Sequence, residues 1–564
     1  MGNPSFQNET VSLKNRSEIQ AHGRISSIVW GGTIFLFALL LRWIPATYAL
    51  PYIHYWDEPT YLKLVLNMVK TGDFDHHWYN IPPFFLYQHT VVQTVRLWEK
   101  AKDGQLRYVD SLDTTDFGNR DFHNVSILKW SRKYTGLLGA CMCLLTYLLA
   151  RRFFTERIAI AAGVALALMP GHIEHSLFIT PDIPVAFMAL LTVFCCVRVS
   201  HRCIPSHFFC LGILTGLTAA TKYNGGCVLV APLLLLILHP RKDIRFWMAL
   251  FMGVVMGFTM GFPYWLARYP LFVNCMGEEF FHYNANFVMD GVSNRWGWEF
   301  IQYLFSPGMG WILFLLSLSG WGLQLRKRWT SFMWIGLIFP LSYSLLLLSQ
   351  KANLFRNLMP LTPWLAMGCG LGLISLWDFL RRNVPARFRY AVPIVVATAV
   401  AVWIVAPPVK WAITLKRTKE TRVQMVNWIR SQAPESQVIG IPYDLHFLDS
   451  EIRRMNRPVI ILSQSDVHRQ SLRGIDLLVC GTKPAHLRWL SVLNNHGIFT
   501  EAMQEQRQSA ESVLPFIQSQ TPLCSILSPS IYPPRSTLAS FQEGYWLLDE
   551  WPVNPSLNLI PVPS

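Results

Sequence analysis

A chain of 564 residues with 52% hydrophobic and 13% aromatic side chains, only 15% charged ones and a mean hydropathy of +0.27 is too apolar for a soluble globular protein of this length. Its net charge of +15 does not mark a nucleic-acid partner, because the Lys and Arg residues sit in short clusters between apolar runs, where membrane topology puts them. The composition therefore excludes soluble and nucleic-acid-binding classes and indicates a polytopic α-helical membrane protein.

The first 24 residues are polar, with Lys14, Arg16 and Arg24, and lead into an apolar run from Ile28 to Leu41. We read that run as a membrane anchor and not a cleavable signal peptide, since many further spans follow it. A bilayer core of about 30 Å needs about 20 apolar residues per helix. On that measure eleven spans are expected, at 26–44, 133–150, 158–175, 182–199, 206–221, 225–239, 246–265, 303–324, 331–349, 357–377 and 389–406. No internal repeat is visible, which argues against a transporter built from two similar halves. Eighteen basic residues fall on alternate connections, among them Arg151, Arg152, Arg241, Lys242, Arg326, Arg381 and Arg382, against about five on the short connections between them. That bias puts the N-terminus in the cytoplasm, and the loop over 45–132 and everything after Pro407 outside. The expected organisation is a cytoplasmic tail over 1–25, a transmembrane domain over 26–406 and an extracytoplasmic domain over 407–564.

The outer loop carries His54-Tyr55-Trp56-Asp57-Glu58-Pro59, followed from Pro59 to Thr71 by apolar residues with Lys63, Asn67 and Lys70 interleaved. This pattern predicts an amphipathic helix at the membrane surface with the two carboxylates at its start. Such a start is equally a capping signal, so on local sequence Asp57 is as much helix cap as functional group. Asp182 opens an apolar span, where an unpaired charge is costly, and has the same two readings. Lys222 and Arg356 lie at outer helix ends, positions that suit either snorkelling or the binding of an anion. His172, Glu174 and His175 lie just before Asp182. With Asp57 they have the donor types of a divalent-metal site, but their spacing matches no closed site, and no cofactor is expected.

A family resemblance rests on motifs in chain order. The Asp57-Glu58 pair is followed by a helix ending in Thr71-Gly72-Asp73-Phe74 and by Pro82-Pro83-Phe84-Phe85; then come Thr180-Pro181-Asp182, the segment from Gly216-Leu217 to Thr221-Lys222-Tyr223-Asn224-Gly225, and Arg356-Asn357-Leu358-Met359-Pro360-Leu361-Thr362-Pro363. Together they resemble the polyprenyl-phosphate-dependent glycosyltransferases of the GT-C fold, near the protein O-mannosyltransferases and aminoarabinose transferases. The resemblance implies transfer of a sugar from a polyprenyl-phosphate donor to an acceptor hydroxyl of a lipid, glycan or protein at the outer face of the plasma (inner) membrane. Asp57 is then the expected general base, with Glu58 beside it orienting acceptor or loop. Lys222 and Arg356 are expected on the donor phosphate, and Asp182, His172, His175 and Tyr55 as substrate-binding residues. Asn80-Ile81 stand where aminoarabinose transferases carry Glu-Lys before Pro-Pro, which argues against an aminoarabinose donor and a lipid A acceptor. The alternative class is a flippase or transporter of lipid-linked saccharides without transferase activity.

The loop from Arg268 to Glu299 is rich in aromatic and polar groups, including Glu278, Glu279, His282 and Tyr283, and suits sugar contacts or an interfacial aromatic belt equally. Beyond Pro407-Pro408 a helix is expected over 421–432 and strands over 437–441, 458–463 and 475–480, making a small α/β domain with an irregular proline-rich tail over 528–534 and 552–563. Most cysteines lie in apolar runs and read as core residues, while a Cys480–Cys524 disulfide is open if that domain is exported.

Overall fold

The computed structural model describes residues 26–105, 125–284, 298–481, 521–526 and 557–562, apart from 49, 51, 53–56, 201–203, 240–242, 328–329, 351–353, 418, 443–444, 446, 448 and 463–471. In chain order the helices are α1 (Ser26–Thr47), α2 (Asp57–Thr71), α3 (Phe84–Lys102), α4 (Val125–Phe153), α5 (Glu156–Leu168), α6 (Pro170–His175), α7 (Asp182–Val199), α8 (Pro205–Thr221), α9 (Val230–Leu238), α10 (Ile244–Gly261), α11 (Tyr269–Asn284), α12 (Trp298–Tyr303), α13 (Trp311–Leu325), α14 (Ser331–Ser349), α15 (Thr362–Asn383), α16 (Ala391–Arg417), α17 (Thr421–Gln432) and α18 (Asp449–Arg454). Helix is present in each of the eleven expected segments, but 158–175 is divided between α5 and α6, and 303–324 is interrupted at Met309-Gly310. Among the described residues six helices are long and apolar enough to cross a bilayer, and Tyr223–Leu238, Trp311–Leu325 and Met333–Ser349 are shorter apolar helices. The protein is a multi-pass membrane protein.

The bundle closes around a core built from α1, α4, α5, α7, α9, α14 and α15. Faces without protein partners stay apolar, as on α10, where Trp247, Phe251, Met252 and Met256 are exposed and face lipid. Small residues set the closest approaches. Gly212 and Gly216 of α8 lie against Gly253 and Gly257 of α10, and a Cβ at Gly216 would strike the Val254 carbonyl. Gly320 of α13 and Gly372 of α15 make the same kind of contact. Both tight pairs end at segments that matter below: α8 runs into Lys222, and α15 is preceded by the 3-10 turn Phe355–Leu361.

The amphipathic helix expected after Pro59 is α2, whose Tyr61, Leu62, Val65, Leu66 and Met68 pack with Phe85 and Leu86 of α3, Ile127 and Leu128 of α4, and Ile179. Burial at this spacing is the signature of a one-faced helix.

The C-terminal domain joins α17 to a sheet of order β2-β1-β3-β5-β4: β1 (Ile439–Pro442), β2 (Val459–Leu462), β3 (Leu477–Gly481), β4 (Cys524–Ile526) and β5 (Leu557–Pro561). The β1–β2 and β1–β3 pairs are parallel, and β5 runs antiparallel to β3 and β4. One difference from expectation appears here. The tail over 552–563 is not wholly irregular, because Leu557 and Leu559 enter one core while Ile560 turns to the other face, an alternation that makes 557–561 a strand. Cys480 and Cys524 are free, and β5 lies between their strands, two strand spacings being too far for a disulfide. α16 continues through Pro407 and Pro408 to Arg417; helix neighbours make such prolines tolerable in membranes. Its last turns pack Trp411, Ala412 and Leu415 against Leu41, Ala46, Tyr48, Leu177 and Phe178.

Candidate functional site

Asp57, Lys222, Asp182 and Arg356 come from α2, the end of α8, the start of α7 and the turn before α15, and fall into two neighbouring ion pairs. α8 ends at Thr221, whose hydroxyl folds back onto the Leu217 carbonyl, and Lys222 is extended (φ −157°, ψ 133°) before the chain re-enters a 3-10 turn. That break turns the Lys222 ammonium toward α7, where it donates to Asp182 Oδ1 at 2.7 Å and to Asn357 Oδ1 at 2.7 Å. Arg356, one residue before Asn357, donates from Nη1 to Asp57 Oδ2 at 2.7 Å, and the Tyr61 hydroxyl approaches the same oxygen at 3.4 Å. Neither carboxylate caps its own helix among the described hydrogen bonds; each is spent on a cation from another segment.

Burial grades this layer. The side chains of Asp182 and Lys222 are 1% and 12% exposed, and those of Asp57 and Arg356 are 35% and 18% exposed. The Asp57 side is therefore the open side. Several buried polar atoms around it have no hydrogen-bond partner among the described residues: Asp182 Oδ2, His175 Nδ1, Asn357 Nδ2 and Asn224 Oδ1. Such atoms are costly in a protein interior unless a bound group satisfies them. His175 lies within electrostatic reach of Asp182, Arg356 and Lys222.

The other expected residues are placed differently. Glu58, next to Asp57, points into the protein and is fully buried against Arg132, with Arg132 Nε on Oε1 at 3.0 Å and Nη2 on Oε2 at 2.7 Å. Arg132 also donates to the Tyr48 carbonyl, and the Ile179 amide donates to Glu58 Oε1. Glu58 thus ties α2 to α4, to the segment leading into the loop and to the turn before α7, and has no access to a reacting group. His172 turns away as well: its Nδ1 lies 2.7 Å from Arg42 Nη2, within a buried cluster in which Arg42 also reaches Ser176 and the carbonyls of Ala38, Leu166 and Ala167. The donor set imagined for a metal is therefore split, and no group of three or more His, Cys, Asp or Glu converges among the described residues. Tyr55 lies outside the described residues.

A second network flanks the layer. Asp75 Oδ1 accepts from the Tyr79 hydroxyl at 2.6 Å and from the His77 amide, and Arg268 reaches its Oδ2 at 3.3 Å. Burial alone would raise the Asp75 carboxyl, but these hydrogen bonds and the His77 ring hold it below the ordinary carboxylate range. The Tyr79 carbonyl in turn receives the Tyr223 hydroxyl at 2.6 Å, which fixes the residue after Lys222.

Comparison with known proteins agrees with the motifs. Residues 132–266 match the model of a family described as dolichyl-phosphate-mannose-protein mannosyltransferase. The resemblance read from the sequence is present. No curated protein matches the sequence. Among solved structures the chain is similar to the archaeal oligosaccharyltransferase AglB from Archaeoglobus fulgidus in complex with an inhibitory peptide and a dolichol-phosphate (12% identity over 92% of this chain and 75% of that one, TM-score 0.48). It is also similar to ArnT from Cupriavidus metallidurans bound to undecaprenyl phosphate (14% identity, 96% and 99% of the two chains, TM-score 0.45). A smaller likeness is to the S. cerevisiae protein O-mannosyltransferase Pmt1-Pmt2 complex bound to the sugar donor (14% identity, 44% and 34%, TM-score 0.33).

Sequence reading passed over Arg132, Arg42 and Asn357 as site-building residues. Asn357 had a visible signal, since it adjoins Arg356 in the quoted motif. Arg132 and Arg42 had none, because a single Arg near a helix end reads as a topology signal.

Proposed function

We propose that the protein is a membrane glycosyltransferase that moves a sugar from a polyprenyl-phosphate donor to an acceptor hydroxyl on the extracytoplasmic face, with Asp57 as general base. The observation that carries this reading is the paired layer itself: two cations, Lys222 and Arg356, brought from distant segments to one place and balanced there by Asp182 and Asp57. A layer of neutralised cations is ready to exchange a carboxylate for a phosphate. The distribution of Lys and Arg between alternate connections supports an extracytoplasmic position for it.

The reaction follows from which pair yields. Asp182 is nearly inaccessible and keeps Lys222 in place, whereas Asp57 is about one-third exposed. A phosphate entering beside Arg356 competes with Asp57 for the guanidinium, and its charge suits Arg better than a single carboxylate oxygen does. Asp57 is released as the donor binds. The acceptor oxygen attacks the anomeric carbon, the carbon–oxygen bond to the phosphate breaks, and that electron pair stays on the phosphate, held by Lys222 and Arg356. The acceptor proton passes to a carboxylate oxygen of Asp57. Attack opposite the leaving phosphate inverts the anomeric centre. Glu58 serves as a positioning residue, fixing the start of α2 so that Asp57 meets Arg356. The acceptor is a lipid, glycan or protein hydroxyl, and the donor lipid reaches the layer from the membrane.

The test is mass spectrometry of glycolipids and glycoproteins from cells with and without the gene. The proposal expects at least one glycan to disappear and to return on complementation. An unchanged profile counts against any transferase.

A further inference from the structure

α11 packs beside the segments that carry the paired layer and brings a carboxylate to which the mechanism above gives no role. Helical spacing puts Phe272, Cys275, Glu279 and Tyr283 on one face, while Val273, Met276, Phe280 and Phe281 are exposed on the other. Both ends of the inner face are pinned. Phe272 and Cys275 pack with Tyr79, Ala220 and Phe262, and with Tyr223, the residue after Lys222. Tyr283 packs on Leu354, two residues before Arg356. Glu279 therefore lies between the segments that carry the two cations, within the electrostatic reach of Lys222, Arg356 and Asp57.

Its state differs from that of the other carboxylates. Asp57 and Asp182 each hold a cation, and Glu278 accepts from Asn80 Nδ2 at 3.3 Å. Glu279 is partly buried and makes no hydrogen bond among the described residues. Burial pushes its carboxyl up, against the pull of Lys222 and Arg356, and Asp57 pushes it the same way as burial. A carboxylate repels a phosphate and accepts hydrogen bonds, so its natural ligand in this layer is a group that donates them.

We propose that Glu279 is a substrate-contacting, specificity-determining residue that accepts a hydrogen bond from a hydroxyl or amino group of the sugar carried on the lipid phosphate. This rests on the transferase reading. With the phosphate on Lys222 and Arg356, the sugar joined to it through one oxygen lies beside them, in the neighbourhood that Glu279 shares with both cations. A site built to bond a substrate hydroxyl also rejects analogues lacking it, because the carboxylate is then left unsatisfied.

The experiment is equilibrium binding of undecaprenyl phosphate and of its mannosyl, glucosyl and galactosyl derivatives to the full chain in lipid nanodiscs. Wild type is expected to prefer at least one sugar-bearing lipid. Glu279→Ala should remove about tenfold of that preference while bare undecaprenyl phosphate binds as well or more tightly, since a negative charge has gone. Glu279→Gln, which keeps an acceptor oxygen and the side-chain volume, should retain part of the preference. Full sugar preference in Glu279→Ala, or a wild type that binds undecaprenyl phosphate with no preference for any sugar, overturns the inference. A wild type that binds none of these lipids overturns the transferase reading beneath it.

Discussion

Two adjacent carboxylates on α2 each meet an arginine, and the two pairs do different things. Glu58 and Arg132 are both fully buried and held by two hydrogen bonds between them, with further bonds to the Tyr48 carbonyl and the Ile179 amide. Asp57 and Arg356 share one hydrogen bond and keep 35% and 18% of their side chains exposed. A fully buried, bidentate pair with further backbone bonds is a clamp, and breaking it strands a charge. A half-open pair with one bond is exchangeable, and its net worth in the unbound protein is small. Side chain type and sequence neighbourhood are the same; accessibility separates structure from chemistry.

The comparison breaks most sharply at the clamp. Arg132→Ala is expected to cost about 3–5 kcal/mol of stability, read from thermal unfolding in detergent, because Glu58 is left buried without its partner. An unfolding temperature like that of wild type would mean that the clamp is dispensable. Lys222→Ala comes next and touches both qualities, since Lys222 neutralises buried Asp182 and faces the proposed phosphate. Transfer is expected to fall roughly a hundred- to a thousandfold in kcat/KM. Adding Asp182→Asn should recover stability without recovering transfer, and recovery of both would reduce Lys222 to a structural partner. The smallest effect belongs to the flanking network. The folded-state pKa of Asp75 is lowered, so its contribution to stability is present above the ordinary carboxylate value and is lost as pH falls through the lowered one. Because Arg268 is more than half exposed, Asp75→Asn should cost less than about 1 kcal/mol near neutral pH. The difference from wild type should vanish toward acid pH in the same unfolding experiment.

Much of this was legible in the sequence for reasons of periodicity. The long apolar runs announced the bundle, the spacing from Tyr61 to Met68 announced α2, and the apolar stretches at 437–441, 458–463 and 475–480 announced three strands, which the structure places at 439–442, 459–462 and 477–481. β4 and β5 were not legible, since β4 has only three residues and β5 ends at Pro561 inside a proline-rich stretch. At the site, the sequence marked Asp57, Asp182, Lys222 and Arg356 as charges at helix ends. It could not pair them, because the partners of Asp57 and Lys222 lie 299 and 40 residues away along the chain. It gave Asp57 and Glu58 different roles but could not name their partners, which come from the turn before α15 and from α4.

The most direct measurement sets Asp57→Asn beside Glu58→Gln and wild type, with sugar transfer from the polyprenyl-phosphate donor and thermal unfolding followed on the same preparations. Asp57→Asn is expected to lose roughly a hundred- to ten-thousandfold in transfer with its unfolding temperature close to that of wild type. Glu58→Gln is expected to lower the unfolding temperature first. Full transfer by a folded Asp57→Asn would contradict the assignment of the general base.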